Sequence, residues 1–182
     1  TQYADHKISA YFVLILKLFL YSFSDSIIAI SKKSKKSLEQ LGINKLKIRL
    51  IYNPFITKII KNINKNYSYG KSFNIISVGR LTKQKNFSSL IDIISILQKK
   101  YPFINLKIIG NGPDYNILNS KVKKNKKINI IQWKKNLHKH YKKSHLFILN
   151  SYYEGLPNIL IEAINNNVPS IATNCSGTMD IL

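Results

Sequence analysis

Short, almost unbroken apolar runs alternating with longer segments of helical periodicity constrain this chain more than any other feature. From Phe73 onward the rhythm predicts strand 73–78, helix 86–100, strand 104–109, helix 113–123, strand 128–132, helix 136–143 and strand 145–149. A helix from Pro157, a strand at 169–172 and a helix beginning near Gly177 complete the pattern. Strands apolar on both faces need cover on both faces, and crossover helices provide it. The expected fold is therefore α/β, a Rossmann-like parallel sheet flanked by helices.

The chain before Phe73 is less regular. Ser26 to Ile30 reads as a buried strand, Ser31 as the cap of a lysine-rich helix running to about Leu41, and Lys47 to Tyr52 as a strand ended by Asn53-Pro54. The lysine- and asparagine-rich stretch 58–72 reads as a surface loop. Ala10 to Phe23 is apolar but interrupted by Lys17, and it is shorter than the roughly 20 residues a membrane-spanning helix needs. Tyr11, Leu14, Leu18 and Tyr21 recur at helical spacing, which predicts a core helix packed on a sheet. Shallow membrane attachment is the alternative, because lysine-rich segments lie close by. A length of 182 residues suits one well-buried domain with a fragment of another.

Charge narrows the partners. With 29 basic and 8 acidic residues the formal net charge is +21, which suggests nucleic acid, an anionic membrane or a phosphorylated ligand. Heavy use of lysine, asparagine and isoleucine throughout gives a competing compositional cause. Only Arg49 and Arg80 are arginines; Arg49 lies in an apolar run and reads as structural, whereas Arg80 follows a predicted strand. Cys175 is the sole cysteine, so no internal disulfide forms and a reducing, cytoplasmic setting is expected. The four histidines show no metal-ligand spacing, and His138 and His140 are expected to decorate a solvated helix.

Two of the three glutamates, Glu154 and Glu162, stand seven residues apart across Gly155-Leu156-Pro157-Asn158-Ile159-Leu160-Ile161. Proline suits the first turn of a helix, which places Glu154 in the loop above that helix and Glu162 more than one turn inside it. Carboxylates accept hydrogen bonds from hydroxyls, and helix-start amides hold phosphate oxygens; the combination fits a nucleotide sugar. The turns at Gly79-Arg80, Gly110-Asn111-Gly112 and Ser151 to Pro157 all follow predicted strands. In an open α/β sheet they converge beyond the strands' carboxyl ends.

At these residues the chain resembles the retaining glycosyltransferases of family 4, whose GT-B fold carries an E-x7-E motif in its C-terminal, donor-binding half. Ser77-Val78-Gly79-Arg80-Leu81-Thr82-Lys83-Gln84-Lys85-Asn86-Phe87 is similar to the family's phosphate loop, and Ile108-Ile109-Gly110-Asn111-Gly112-Pro113 to the next one. Pro169 to Thr173 and Ser176-Gly177 follow in the family's order.

The resemblance implies that residues 1–50 are a remnant of the N-terminal acceptor domain and its connection, and that 51–182 form a nucleotide-sugar-binding domain truncated at its C-terminus. It implies Arg80, Lys85 and Glu154 as catalytic residues. Donor contacts would come from Gly79, Arg80, Lys85, Gly110, Asn111, Gly155, Leu156, Pro157, Asn158 and Glu162. Glu162 would bind the ribose and Glu154 a hydroxyl of the transferred sugar. A UDP-sugar donor, a saccharide or lipid-linked acceptor, no metal and no other cofactor are the corresponding expectations. So are polysaccharide or glycolipid synthesis, a cytoplasmic location with peripheral contact at the anionic inner membrane face, and no nucleic acid. Three positions depart from the pattern: Asn167 and Trp133 replace glycines, and Asp180 a glutamate. Asparagine tolerates the left-handed conformation the first requires. The competing readings are a basic nucleic-acid-binding module and a non-catalytic remnant that binds nucleotide only.

Overall fold

A computed structural model describes residues 13–54 and 72–182, and the chain divides into two units, Thr1–Asn53 and Pro54–Leu182. In the first, helix α1 occupies residues 13–22 of the described part, followed by β1 (Ile27–Ala29), α2 (Lys32–Gln40) and β2 (Ile48–Leu50). Ser31 caps α2 as expected: its side chain accepts the Ser34 amide at 3.2 Å. β1 and β2 pair in parallel, Ile27 opposite Ile48. Ile27, Ala29 and Ile48 are buried, but Ile28 is exposed, so the first strand is covered on one face.

α1 departs from expectation. Leu14, Leu18 and Tyr21 form its better-covered stripe but are only half-buried, while Ile15, Leu16, Phe19 and Leu20 are exposed. It is not a core helix. Helical spacing identified the stripe but could not show whether a sheet covers it. Tyr11, and the predicted surface loop except Ser72, lie outside the described residues.

The second unit holds the sheet. Its elements are β3 (Phe73–Val78), α3 (Phe87–Lys100), β4 (Ile104–Ile109), α4 (Tyr115–Val122), β5 (Ile128–Ile131), α5 (His138–Lys142), β6 (Leu146–Leu149), α6 (Asn158–Asn165) and β7 (Ser170–Ala172). Every pairing is parallel and the strand order is β5-β4-β3-β6-β7. The chain thus winds outward from β3 to one edge and returns past it to the other, which places a crevice beside β3 at the carboxyl ends.

Two cores follow from the pleat, because alternate side chains of a strand face opposite layers. Ile75 and Leu106 pack with Leu90, Ile91 and Ile94 of α3 and Leu118 of α4. On the opposite face Ile76, Val78, Ile109, Phe147 and Leu149 pack with Tyr141 of α5 and Leu160 and Ala163 of α6. A fully buried aliphatic side chain contributes about 1.5–3 kcal/mol, so these layers dominate the unit's stability.

Helix ends differ from the sequence expectation in instructive ways. Pro157 sits just outside α6 as its N-cap, with extended backbone, and not in the first turn. The helix expected near Gly177 is a single 3-10 turn, Thr178–Asp180. α5 is shorter than predicted, and its two histidines differ: His138 is exposed as expected and His140 is not. His138 joins Asn166 at the end of α6 through Nδ1 and Oδ1 at 2.6 Å, and His140 is half-buried. Burial, followed by the charges of Lys107, Lys134 and Lys143, holds the His140 imidazole below its ordinary pKa. Asn167 adopts φ +51°, the left-handed turn its side chain tolerates.

Candidate active site

Loops following β3, β5 and β6, with the start of α6, enclose a cleft of about 540 Å³. It lies at the carboxyl ends of the strands. Among the residues proposed from sequence, Gly79, Arg80, Lys85, Glu154, Leu156, Pro157, Asn158 and Glu162 line it. Trp133, Lys135, Leu137 and Ile159 complete the wall. Gly110, Asn111 and Gly155 are not part of that lining.

Lys85 and Glu154 form the electrostatic centre. Their side chains, 14% and 9% exposed, meet at 2.5 Å, and Ser151 Oγ donates to the same Glu154 oxygen at 2.6 Å. Two oppositely charged groups that are largely removed from water stabilise each other only when joined with good geometry; either one alone would be costly. The pair therefore pins the loop after β3 to the loop after β6. Gln84 adds a clasp: the Tyr152 amide donates to its carbonyl at 2.9 Å and its own Nε2 donates to the Tyr153 carbonyl at 2.7 Å.

The Glu154 loop is held from its other side as well. Ser176 Oγ donates to the Glu154 carbonyl, and the Gly177 amide donates to it at 3.2 Å. A Cβ on Gly177 would lie 1.8 Å from the Gly155 carbonyl oxygen, so only glycine permits this approach.

Arg80 is exposed and has no ion-pair partner among the described residues. A free guanidinium at a strand-to-helix turn can grip phosphate oxygens bidentately. Asn158 opens α6 and lines the cleft, and the first amides of a helix have no partner within it. Glu162, one turn further in, is half-buried. Burial pushes its carboxyl above the usual glutamate range, and burial with the Glu162 charge raises the neighbouring Tyr141 hydroxyl.

The Gly110–Gly112 turn has a different task. A Cβ on Gly110 would meet the Gly79 carbonyl oxygen at 1.8 Å, and one on Gly112 the Leu81 carbonyl oxygen at 2.3 Å. Asn111 accepts the Leu81 amide on its carbonyl at 2.9 Å and the Trp133 amide on Oδ1 at 3.1 Å. This turn braces the cleft from behind. Sequence reading did not select Ser151, Lys135, Leu137 and Ile159. Their types are common on any basic α/β chain, and only the position of Ser151 beside Glu154 offered a signal.

Fold and site together define an α/β protein with an anion-compatible cleft at its topological switch point, lined by two carboxylates and three cations. The chain belongs to the family of group 1 glycosyl transferases, which matches residues 58–182, and its sheet is the Rossmann-like half of a GT-B fold. An uncharacterised glycosyltransferase of Methanocaldococcus jannaschii is 33% identical over 192 residues, covering 99% of this chain and 47% of that protein. The amylovoran biosynthesis glycosyltransferase AmsD of Erwinia amylovora is 30% identical over 172 residues, covering 92% and 48%. The solved structure of Anabaena HepE in complex with UDP and glucose matches with a TM-score of 0.78 at 18% identity, over 93% of this chain and 50% of that one. That last likeness is one of fold. The chain spans about half the length of the curated relatives it matches.

Proposed function

We propose that this chain supplies the donor site of a retaining glycosyltransferase that takes a sugar from a nucleoside-diphosphate sugar, a UDP-sugar by preference. The acceptor is a saccharide or lipid-linked saccharide, in the assembly of a surface polysaccharide or glycolipid. One observation carries the reading: Arg80, the Lys85–Glu154 pair, Glu162 and the start of α6 share one cleft. Its chemistry suits a ligand with phosphates at one end and hydroxyls along its length. The polysaccharide role of AmsD supports the class of product, because that relative belongs to amylovoran biosynthesis.

In this reading Arg80 and Lys85 stabilise the diphosphate as the bond from the sugar to its oxygen breaks, and fixed cations are most effective in a partly desolvated cleft. The α6 amides assist through the helix dipole. Glu162 accepts hydrogen bonds from the ribose. Glu154, already bonded to Lys85 and Ser151, has a second oxygen for a hydroxyl of the transferred sugar. Binding needs no divalent cation, so nucleotide affinity is expected to be the same with and without EDTA.

No helix among the described residues is long and apolar enough to cross a membrane. The exposed apolar side of α1 and the lysines of α2 suit peripheral contact with an anionic bilayer at its cytoplasmic face, where lipid-linked acceptors are presented.

Calorimetric titration with UDP-, GDP- and sugar-conjugated ligands at low and physiological salt tests the reading. Saturable binding that prefers one base and collapses in Arg80→Ala is the expected result. Salt-sensitive binding without base preference, unchanged in that variant, would assign the +21 charge to nonspecific polyanion binding.

A further inference from the structure

Away from the cleft, the amino ends of the strands carry a polar patch that nucleotide binding does not use. β3, β4 and β5 turn one shared face towards α5 and α6, and further along that face is apolar, with Ile76, Ile109 and Ile131. Nearer the amino ends the same face carries Asn74, Asn105, Lys107 and Asn129. Asn74 stands opposite Asn105, and Lys107 opposite Asn129. Asparagine and lysine are poor choices for strand interiors. α5 has only five residues, a length of about 7.5 Å, and cannot cover strands that run about 20 Å.

A concavity of about 240 Å³ opens over this patch, with His140 and Lys143 on its other side. It shares no residue with the donor cleft, and Asn74 lies about 16 Å along β3 from Gly79. Its frame is fixed: Asn105 Nδ2 donates to Asn74 Oδ1 at 3.2 Å, and Asn74 Nδ2 donates to the Lys143 carbonyl at 3.2 Å. The groups left over are donors. Lys107 Nζ, Lys143 Nζ, the Asn129 amide and the His140 ring have no hydrogen-bond or ion-pair partner among the described residues, and no carboxylate stands in the lining.

Asparagine and lysine are frequent throughout this chain, and an uncovered sheet end would be polar in any case. A solvated face, however, needs neither a cavity nor a gathering of like charges. Here Lys107 and His140 are half-buried. Burial, then the charges of Lys107 on β4, Lys134 after β5 and Lys143 after α5, hold the His140 imidazole below its ordinary pKa. An anion among these groups would relieve their mutual repulsion and accept their free hydrogens.

We propose that this cavity is a second anion site, in which Lys107, Lys143 and His140 hold the phosphate group of a small ligand, either free phosphate or a sugar phosphate. The volume falls below the roughly 300–1,000 Å³ of sites for larger ligands, which excludes a nucleotide sugar. The inference is independent of the nucleotide-sugar reading, because the two sites have no residue in common.

The test titrates the full chain with inorganic phosphate, glucose 6-phosphate and glucose at constant ionic strength, following heat and the His140 ring proton signals, assigned among the four histidines with His140→Gln. An Arg80→Ala background removes phosphate binding at the donor cleft. Saturable shifts of the His140 signals by phosphate or glucose 6-phosphate, and none by glucose, are expected. Tighter binding of the ester would identify a sugar phosphate whose hydroxyls reach the asparagines, and equal affinities would identify free phosphate.

Lys107→Met keeps the volume of the stem, so it should melt no lower than the parent without ligand and bind phosphate at least about tenfold more weakly. Lys139→Met removes the same charge from an exposed position of α5 outside the cavity and should bind like the parent. With Arg80 intact, Lys107→Met should keep wild-type UDP affinity. No saturable His140 response to either phosphate ligand would overturn the site, as would equal losses in Lys107→Met and Lys139→Met, which would assign binding to diffuse charge. Loss of UDP binding in Lys107→Met at unchanged stability would overturn the separation of the two sites.

Discussion

The turns that follow β3 and β4 look alike in sequence, each a glycine after an apolar strand with a polar residue next to it, yet they do different work. Gly79, Arg80 and Lys85 line the cleft. Gly110 and Gly112 pack against the backbone of the first turn, at Gly79 and Leu81. Leu81 is fully buried between them, its amide and carbonyl bonded to Asn111 and Asp114 of the second turn. The lesson is that glycine in a strand-to-helix turn records a close backbone approach. Whether the approaching group is a ligand or another turn depends on which side chains beside it are left free.

Several changes would break or sharpen this contrast. The largest effect is expected for Lys85→Met, which leaves Glu154 buried without its partner and should cost about 3 kcal/mol of stability. In urea unfolding, the double change Lys85→Met with Glu154→Gln should recover part of that loss. An additive pair would mean that the contact does not hold the two loops together.

Gly110→Ala comes next. Its Cβ would overlap the Gly79 carbonyl, so the second turn must move; a loss of about 1–3 kcal/mol in the same assay is expected. Wild-type stability would show that the turns are not braced against each other. Arg80→Ala should leave the melting temperature in place and weaken nucleotide binding about tenfold, the opposite pattern from Gly110→Ala. If both variants lost stability and binding together, the division into site and brace would not hold.

Glu162→Gln should give the smallest effect, and its sign depends on pH. The folded protein raises the Glu162 pKa, so burial of the ionised form opposes folding above that raised value and the penalty disappears once both states are protonated. The glutamine variant should therefore melt slightly higher than wild type at neutral pH and no higher in acid. Wild-type nucleotide affinity should fall as pH drops through the raised pKa, and the variant should show a flatter profile at lower affinity. A parallel pH profile would remove Glu162 from the ligand's surroundings.

Much of the second unit was legible because its strands are apolar on both faces and its helices follow at regular intervals. Phe73–Val78 and Ile104–Ile109 stand where the sequence placed them. The ends of α5 and α6 were less legible, since Asn166 reaches His138 from a different helix and Pro157 fits either side of a helix start. α1 was the least legible. Its apolar stripe has the spacing of a core helix, but burial requires a covering surface that no local pattern specifies.

By itself the sequence determined the alternation of elements, the parallel sheet and the neighbourhood of Arg80, Lys85, Glu154 and Glu162, because periodicity, turn chemistry and rare charges are local properties. Only the tertiary structure decided that Lys85 neutralises Glu154 while Arg80 has no ion-pair partner among the described residues, that Gly110 is a brace, and that Trp133 forms a wall of the same cleft. Those outcomes depend on which loops the strand order places side by side, and distances between loops 20 to 70 residues apart are set by packing of the whole sheet.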